Sequence, residues 1–254
     1  MFYDNTRDFM TQIAPFYDYI CFPCSDERIL FFENFKDNNS IKSVLDTACS
    51  TGETCYRLYK GGFEVSGLDF SSGMIDIARI KAKNKAVKAK FYLLEMNNAQ
   101  SIGRKFDIVY NNSLIWIPTI DYVRQTISSA FDVLNNNGIF IIDIPNSDLF
   151  ISTYKKQYIS SRQVSNNHFY KISTYKEYPN RTNKELTSLQ TYIVQDIQLG
   201  VENIYSCWLK LRLHGLDELI KILKEYNFEI LEIYGDYIKK DIGVAASYQI
   251  IGKK

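Results

Sequence analysis

The sequence lacks the features that mark several large classes of protein. Its 254 residues carry a formal net charge of only +1, so no overall positive field would concentrate it on nucleic acid or on an anionic membrane. The longest apolar runs, such as 139–144, are far too short to span a bilayer, and the N-terminal segment MFYDNTRDFM has no apolar core of a signal peptide. We therefore expect a soluble, cytoplasmic protein, monomeric or homodimeric, without a nucleic-acid or membrane partner.

Cysteine and histidine are also scarce. The five cysteines are odd in number and sparse for this length, which argues against a disulfide framework and fits a reducing compartment. Cys21 and Cys24 have the spacing of a zinc or redox pair, but a structural zinc site needs a second pair of ligands. Only His168 and His214 could add an imidazole. We expect no metal site and interpret the cysteines as packed or surface thiols.

What the sequence does contain is an alternation of strand-like and helix-like segments. Apolar runs at 43–46, 63–69, 89–95, 105–111 and 138–144 predict buried strands, with helical periodicity between most of them. One or two short helices precede them, interrupted at Pro15. The same pattern resumes with a helix at 216–226 and strands near 228–235 and 246–252. Such repeated units indicate an α/β fold with a parallel sheet covered on both faces.

Residues 146–215 follow a two-residue alternation instead. The segment 168–178 reads as one strand, and two further strands show alternating apolar or β-branched positions, at Leu189, Thr191, Ile193, Ile197 and Leu199 and at Tyr205, Cys207, Leu209, Leu211 and Leu213. This pattern predicts antiparallel strands with one face exposed to solvent. We therefore predict one domain formed by 1–145 and 216–254, with 146–215 as an antiparallel β insertion that forms a substrate lid over the carboxyl ends of the strands.

The loop after the first strand, in VLDTACSTGE (44–53), contains only Gly52 where a dinucleotide-binding fold has three glycines. Asp46 at its mouth would repel a pyrophosphate and attract a cation. Asp69 ends the second strand, where an acidic side chain can accept hydrogen bonds from both hydroxyls of a ribose. A ribose together with positive charge points to S-adenosylmethionine (SAM).

Several ordered segments resemble the motifs of class I SAM-dependent methyltransferases of the small-molecule type. VLDTACSTGE resembles the first motif of that family, and VSGLDFSSGMIDIAR (65–79) resembles its second strand and the following helix. LLEMNNA (93–99), FDIVYNN (106–112) and FDVLNNNGIFIIDI (131–144) resemble the next three strand motifs, and IAPFYDYI (13–20) resembles the element that closes over the methionine end of SAM. The resemblance covers about residues 9–144 and implies a Rossmann-like, seven-stranded, mostly parallel sheet with helices on both faces.

Carried over position by position, the resemblance implies a site for SAM at the carboxyl ends of the strands. Near the methionine portion and in the first loop it places Tyr17, Asp46, Ala48, Ser50 and Gly52. Around the ribose and the adenine it places Asp69, Phe70, Met74, Glu95 and Met96, with Asp69 on the ribose, Phe70 flanking the adenine and Glu95 at the adenine edge. Asn111 and Asn112 are expected to line the floor near the methyl group.

Two positions depart from the family pattern. Ser50 replaces the usual second glycine, so a positive φ there would strain the backbone. Glu95 replaces the commoner aspartate and adds one methylene of reach, which would loosen the adenine contact.

The implied activity is transfer of the SAM methyl group to N or O of a small-molecule acceptor by in-line displacement. Such a reaction needs alignment and exclusion of water more than a strong base, which agrees with the lack of a recognisable catalytic dyad. Candidates for a catalytic group are His168, His214 and Asn112. Tyr170, Tyr175, Tyr178 and Trp208 could form an aromatic wall for the acceptor or could simply pack the insertion.

Two alternatives to this interpretation remain open. One is a methyltransferase of the same fold that acts on RNA or protein. The other is a non-catalytic SAM-binding protein.

Overall fold

The computed structural model describes residues 2–20, 24–36, 41–117, 119–153, 157–163, 168–180, 184–196, 199–238 and 242–254. Within these ranges the strands are β1 (Ser43–Asp46), β2 (Glu64–Asp69), β3 (Lys90–Leu93), β4 (Phe106–Asn111), β5 (Leu134–Pro145), β6 (Gln157–Gln163), β7 (His168–Asn180), β8 (Glu185–Asp196), β9 (Val201–Arg212), β10 (Glu229–Gly235) and β11 (Ser247–Lys253). The α-helices are α1 (Phe2–Ile13), α2 (Tyr17–Ile20), α3 (Asp26–Glu33), α4 (Glu53–Lys60), α5 (Ser72–Asn84), α6 (Ile120–Val133), α7 (Ser147–Ser152) and α8 (Leu216–Glu225).

The larger sheet has seven strands in the order β10-β11-β5-β4-β1-β2-β3. Strand β11 runs antiparallel to both of its neighbours, and the other paired strands are parallel. The predicted Rossmann-like, seven-stranded, mostly parallel sheet is confirmed. The order reverses at β1, which pairs with β2 on one side and with β4 on the other. In open α/β sheets this reversal opens a crevice at the carboxyl ends of the strands, where ligands bind.

Both faces of this sheet are buried at its centre, which explains why β1, β4 and the second half of β5 are mostly apolar. Leu45 and Val109 point to the face covered by α6 and α8, whereas the adjacent Val44 and Ile108 point to the face covered by α3, α4 and α5. Successive side chains of a strand point to opposite faces of the sheet. When both faces are buried, the sequence of the strand therefore does not alternate between apolar and polar residues.

Three elements are absent from the sequence prediction. Helix α3 begins after Ser25, whose Oγ accepts a hydrogen bond from the amide of Arg28, and α7 begins after Asn146, whose side chain caps the amides of residues 148 and 149. Strand β6 precedes the predicted strands of the insertion. Each of these elements is short, between six and eight residues, so its hydrophobic periodicity carries little signal.

The insertion is a four-stranded antiparallel sheet in the order β6-β7-β8-β9. The predicted inner face of β9 agrees with the structure, because Cys207, Leu209 and Leu211 are buried. The predicted inner face of β8 is wrong by one residue, since Tyr192 and Val194 are buried while the face that carries 189, 191 and 193 is only partly covered. Both faces of β8 carry apolar side chains, and a shift of one residue exchanges them, so periodicity by itself could not choose between them.

The insertion packs against the N-terminal helix through a third hydrophobic cluster. Phe9 of α1 stacks on Tyr192 at a centroid distance of 5.5 Å, and Ile13, Met74 and Cys207 belong to the same cluster. Helix α1 also touches the first turn of α5 closely, because a Cβ atom on Gly73 would lie 2.5 Å from the carbonyl oxygen of residue 11. The insertion and α1 are thereby held at the carboxyl end of β2, where the candidate site lies.

Candidate functional site

Two carboxylates lie buried where β1 and β2 end, each fixed by backbone amides. Asp46 is 2% exposed and its Oδ1 accepts a hydrogen bond from the Ala48 amide at 3.1 Å. Asp69 is 6% exposed, and its two oxygens accept from the amides of Ser50 at 3.0 Å and Ser71 at 2.9 Å. Asp69 therefore ties the loop after β1 to the loop after β2, a linkage that sequence spacing did not reveal.

Burial makes the charge on both groups costly. Loss of water raises the pKa of Asp46 to about 7, and the Ala48 amide and the Arg28 guanidinium oppose this shift only in part. Loss of water likewise raises the pKa of Asp69 to about 6 against the hydrogen bonds from Ser71 and Ser50. A cation bound between these carboxylates would favour their ionised forms. The pair is thus electrostatically suited to a positively charged ligand.

The loop after β1 uses left-handed backbone at two positions. Ser50 has a φ of +48° and Gly52 a φ of +80°. The strain anticipated for a serine at position 50 is therefore present, because left-handed backbone costs an L-residue with a side chain roughly 1–2 kcal/mol.

Replacing Ser50 with glycine is expected to stabilise the protein by about 0.5–1 kcal/mol, since the gain at a positive φ exceeds the extra chain entropy of glycine. Ser50→Ala is the matched control, because it removes the hydroxyl and keeps the cost of the positive φ. Urea unfolding of both variants measures the difference. Equal stabilities of the glycine and alanine variants would refute the strain at this position.

The Tyr-Asp element at the start of α2 lies against this loop. The Ser50 hydroxyl donates to Tyr17 Oη at 3.4 Å, and Thr51 Oγ1 donates to Asp18. Lys81 of α5 donates to Asp18 at 2.8 Å and to Glu53 at 3.1 Å, which fixes the element from the other side. Positions 17 and 18 therefore contact the loop after β1.

The last residue of β4 contacts the loops that follow β1 and β3. Asn111 is fully buried, and its Nδ2 donates to Thr47 Oγ1 at 2.9 Å and to Met96 Sδ at 3.4 Å. Asn112 is only partly buried, and its Oδ1 accepts from the Ser113 hydroxyl at 3.1 Å. Asn111 therefore holds two loops together, whereas Asn112 is the more accessible of the two.

Glu95 is already engaged by protein donors. Arg7 Nη2 donates to its Oε1 at 2.6 Å, and Tyr122 Oη donates to its Oε2 at 2.5 Å. The Arg7 guanidinium lies over the ring of Phe70, 6.0 Å from the centroid.

Met74, also assigned to the site, is 2% exposed and packs between α1 and the insertion sheet.

Sequence reasoning missed a buried polar network behind Asp46. Arg28 of α3 lies 3.8 Å from Asp143 Oδ2, and its guanidinium lies 5.2 Å from the ring centroid of Tyr237 and 5.8 Å from that of Tyr110. Tyr237 Oη donates to Asp143, and burial raises the pKa of this carboxyl against that hydrogen bond and Arg28. The single charge within the apolar run IFIIDI was the signal that could have found it, because a charge in a strand buried on both faces needs a partner.

The histidine and tryptophan candidates lie in different environments. His214 is 3% exposed with its Nε2 2.9 Å from the carbonyl oxygen of Ile117, and burial lowers its pKa. Such a position is that of a packed core histidine. Trp208 is 44% exposed on the outer face of β9, opposite the face that packs on α1. The side chains of His168, Tyr170, Tyr175 and Tyr178 lie outside the described residues.

Cys24, Cys49, Cys55 and Cys207 are free and buried, and Cys21 lies outside the described residues. In the described part of the chain, no group of three or more His, Cys, Asp or Glu side chains is placed to hold a metal ion. The helices in those ranges include none with the length and apolar character needed to cross a membrane.

Comparisons with known proteins agree with this fold. A family described as "Methyltransferase domain" matches residues 38–197. A protein of Geobacillus sp. (strain WCH70) with a methyltransferase name is 29% identical over 202 residues, which is 77% of each chain. The crystal structure of a SAM-dependent methyltransferase from Clostridium acetobutylicum ATCC 824 superposes with a TM-score of 0.79 at 20% identity, over 95% of this chain and 97% of that one.

A further solved structure contains the cofactor. The SAM-bound amino pentose methyltransferase CalS10 from Micromonospora echinaspora superposes with a TM-score of 0.65 at 13% identity, over 90% of each chain. The fold and the family match define a SAM-dependent methyltransferase. The chain belongs to the methyltransferase domain family, and its cofactor is SAM.

Proposed function

We propose that this enzyme transfers the SAM methyl group to a nitrogen or oxygen atom of a small-molecule acceptor by in-line displacement. The observation that carries the proposal is the buried pair Asp46 and Asp69, whose ionised forms a cationic, ribose-bearing ligand would stabilise. CalS10, which has a similar fold, is named as an amino pentose methyltransferase, and this supports an acceptor that is a small molecule.

The residues at the carboxyl ends of the strands fit the cofactor. Asp46 and the Ala48 backbone would hold the methionine portion, with Tyr17 near its carboxylate. Asp69 would bind the ribose hydroxyls, because an ionised carboxylate has about four lone-pair sites and the amides of Ser50 and Ser71 use only part of them.

The adenosine end and the floor of the site involve a second set of residues. Phe70 and Met96 would contact the adenine, with Glu95 accepting from its amino group. Asn112, which is partly buried just beyond β4, would line the floor near the methyl group.

Bound SAM supplies an already activated methyl group, so the protein has to align the acceptor and keep water away. We assign that role to the insertion of residues 146–215, which packs on α1 beside the site through Tyr192 and Cys207. His214 is held against a backbone carbonyl in the core, so it is not placed to act as a base toward the acceptor.

A methyl-transfer assay tests the proposal. The purified protein is incubated with SAM and, in separate reactions, with pools of small amines and hydroxyl compounds, with tRNA and with proteins. Formation of S-adenosylhomocysteine (SAH) is followed by mass spectrometry. Acceptor-dependent SAH with a small molecule supports the proposal. Turnover only with tRNA or with a protein would replace the acceptor class, and SAM binding by calorimetry without turnover in any pool would favour a non-catalytic binder.

A further inference from the structure

Arg7 of α1 reaches the two residues that the proposed site assigns to the adenine. Its Nη2 donates to Glu95 at 2.6 Å, and its guanidinium lies over Phe70. The second oxygen of Glu95 accepts from Tyr122. Both oxygens of Glu95 therefore have protein donors before a ligand arrives, and one face of Phe70 is covered.

The spacing leaves no room for a ring between Arg7 and Phe70. A ring stacked between two groups needs about 3.5–4.0 Å to each of them, or about 7–8 Å in total. The observed separation between the guanidinium carbon and the Phe70 centroid is 6.0 Å. An adenine can pack on this face of Phe70 only after the guanidinium moves away, and its amino group then donates to Glu95 in place of Arg7.

The Arg7–Glu95 pair is weak enough to be displaced. The two side chains are 43% and 38% exposed, and ion pairs with that exposure contribute little to stability. Arg7 Nε is buried and has no hydrogen-bond partner within the described ranges, so the guanidinium has lost water without full compensation.

We infer that Arg7 competes with the adenine of SAM and of SAH for Glu95 and Phe70. Arg7 thereby lowers the affinity for substrate and product cofactor alike. This inference rests on the adenine placement in the proposed function.

Calorimetric titration of SAH into Arg7→Ala at low salt tests the inference. Removal of the competitor should tighten SAH binding by roughly two- to fivefold, the range expected for loss of an exposed ion pair. Arg104→Ala is the matched control, because Arg104 is 38% exposed, lies 3.5 Å from Glu64 and stacks 4.7 Å from the Phe106 centroid. Arg104 precedes β4 and so lies at the amino ends of the strands, opposite the proposed site at their carboxyl ends. SAH binding should therefore be unchanged in its variant.

Salt provides a second measurement on the wild-type protein. Screening weakens the exposed Arg7–Glu95 pair, so SAH affinity of the wild type should rise with sodium chloride concentration while that of Arg7→Ala stays flat. Arg7→Gln, which keeps most of the side-chain length without the charge, should behave like Arg7→Ala.

The outcomes separate this inference from the proposed function. Glu95→Ala should weaken SAH binding, and if it does not, the adenine placement is wrong and the competition by Arg7 falls with it. The proposed methyl transfer is then still decided by the methyl-transfer assay. If Glu95→Ala weakens binding while Arg7→Ala leaves it equal or weaker, only the competition is refuted. In that case Arg7 either contributes to cofactor binding or has no effect on cofactor affinity.

Discussion

Replacing Asp69 with alanine is expected to reduce SAM affinity by at least tenfold. It is also expected to lower the free energy of unfolding by about 2–4 kcal/mol at pH 4, where the carboxyl is protonated in the folded protein and carries no cost of buried charge. Two effects combine. The variant loses the acceptor proposed for the ribose hydroxyls, and it leaves the amides of Ser50 and Ser71 without their common acceptor. Each buried amide without a partner costs about 1–3 kcal/mol. Calorimetry with SAM and urea unfolding measure the two effects separately.

Asp107→Ala separates the role in binding from the role in folding. Asp107 also accepts hydrogen bonds from two backbone amides, those of Lys42 and Ser43, both at 2.9 Å, but it lies at the amino ends of β1 and β4. We expect its variant to lose stability while it keeps its SAM affinity. If Asp69→Ala binds SAM as the wild type does, the ribose assignment is refuted whatever its stability.

Replacing Asp46 with asparagine is expected to have opposite effects on the ligand-free protein and on SAM binding. The folded-state pKa of Asp46 is raised to about 7, above the ordinary value of 3.8 that applies when the chain is unfolded. Because the pKa is raised, Asp46 stays protonated to a higher pH in the folded protein than in the unfolded chain. The contribution of Asp46 to the free energy of unfolding is therefore fully present below about pH 4 and is lost as the pH rises to about 7.

At pH 8 the ionised Asp46 costs the ligand-free protein on the order of 4 kcal/mol. Asparagine at position 46 avoids this cost and keeps an oxygen for the Ala48 amide. We expect the variant to be more stable than the wild type at pH 8 and the difference to disappear near pH 4. Thermal unfolding across this pH range measures it.

The same variant should bind SAM more weakly, and the loss should be greater for SAM than for SAH. The reason is that SAH has lost the sulfonium charge that Asp46 is proposed to stabilise. In the wild type, SAM affinity should rise between pH 6 and 8 as Asp46 ionises, and this rise should be reduced in the variant. Equal losses for SAM and SAH would contradict a role of Asp46 toward the sulfonium.

Both predictions concern residues that were identified from sequence, and the reason is local. Asp46 and Asp69 directly follow apolar runs that are long enough to be strands and are buried on both faces. The carboxyl ends of neighbouring parallel strands must meet at one edge, so the two acids come together without further information.

The residues that were missed depend on contacts far apart in the chain. Arg28 and Asp143 are separated by more than a hundred positions, and Arg7 reaches Glu95 across 88 positions. Neither pair leaves a periodic trace, because its two members lie on different elements. The charge of Asp143 within a buried strand indicates that it needs a partner, but it does not indicate that Arg28 is that partner.

The amino-acid sequence by itself determined the α/β architecture, the place of the insertion and the first loop, because hydrophobic periodicity and motif order are properties of neighbouring residues. Only the tertiary structure decided which face of β8 is buried, that Ser50 takes a positive φ and that Arg7 lies where the adenine is proposed to bind. Each of these depends on the pairing and packing of segments that the sequence does not bring together.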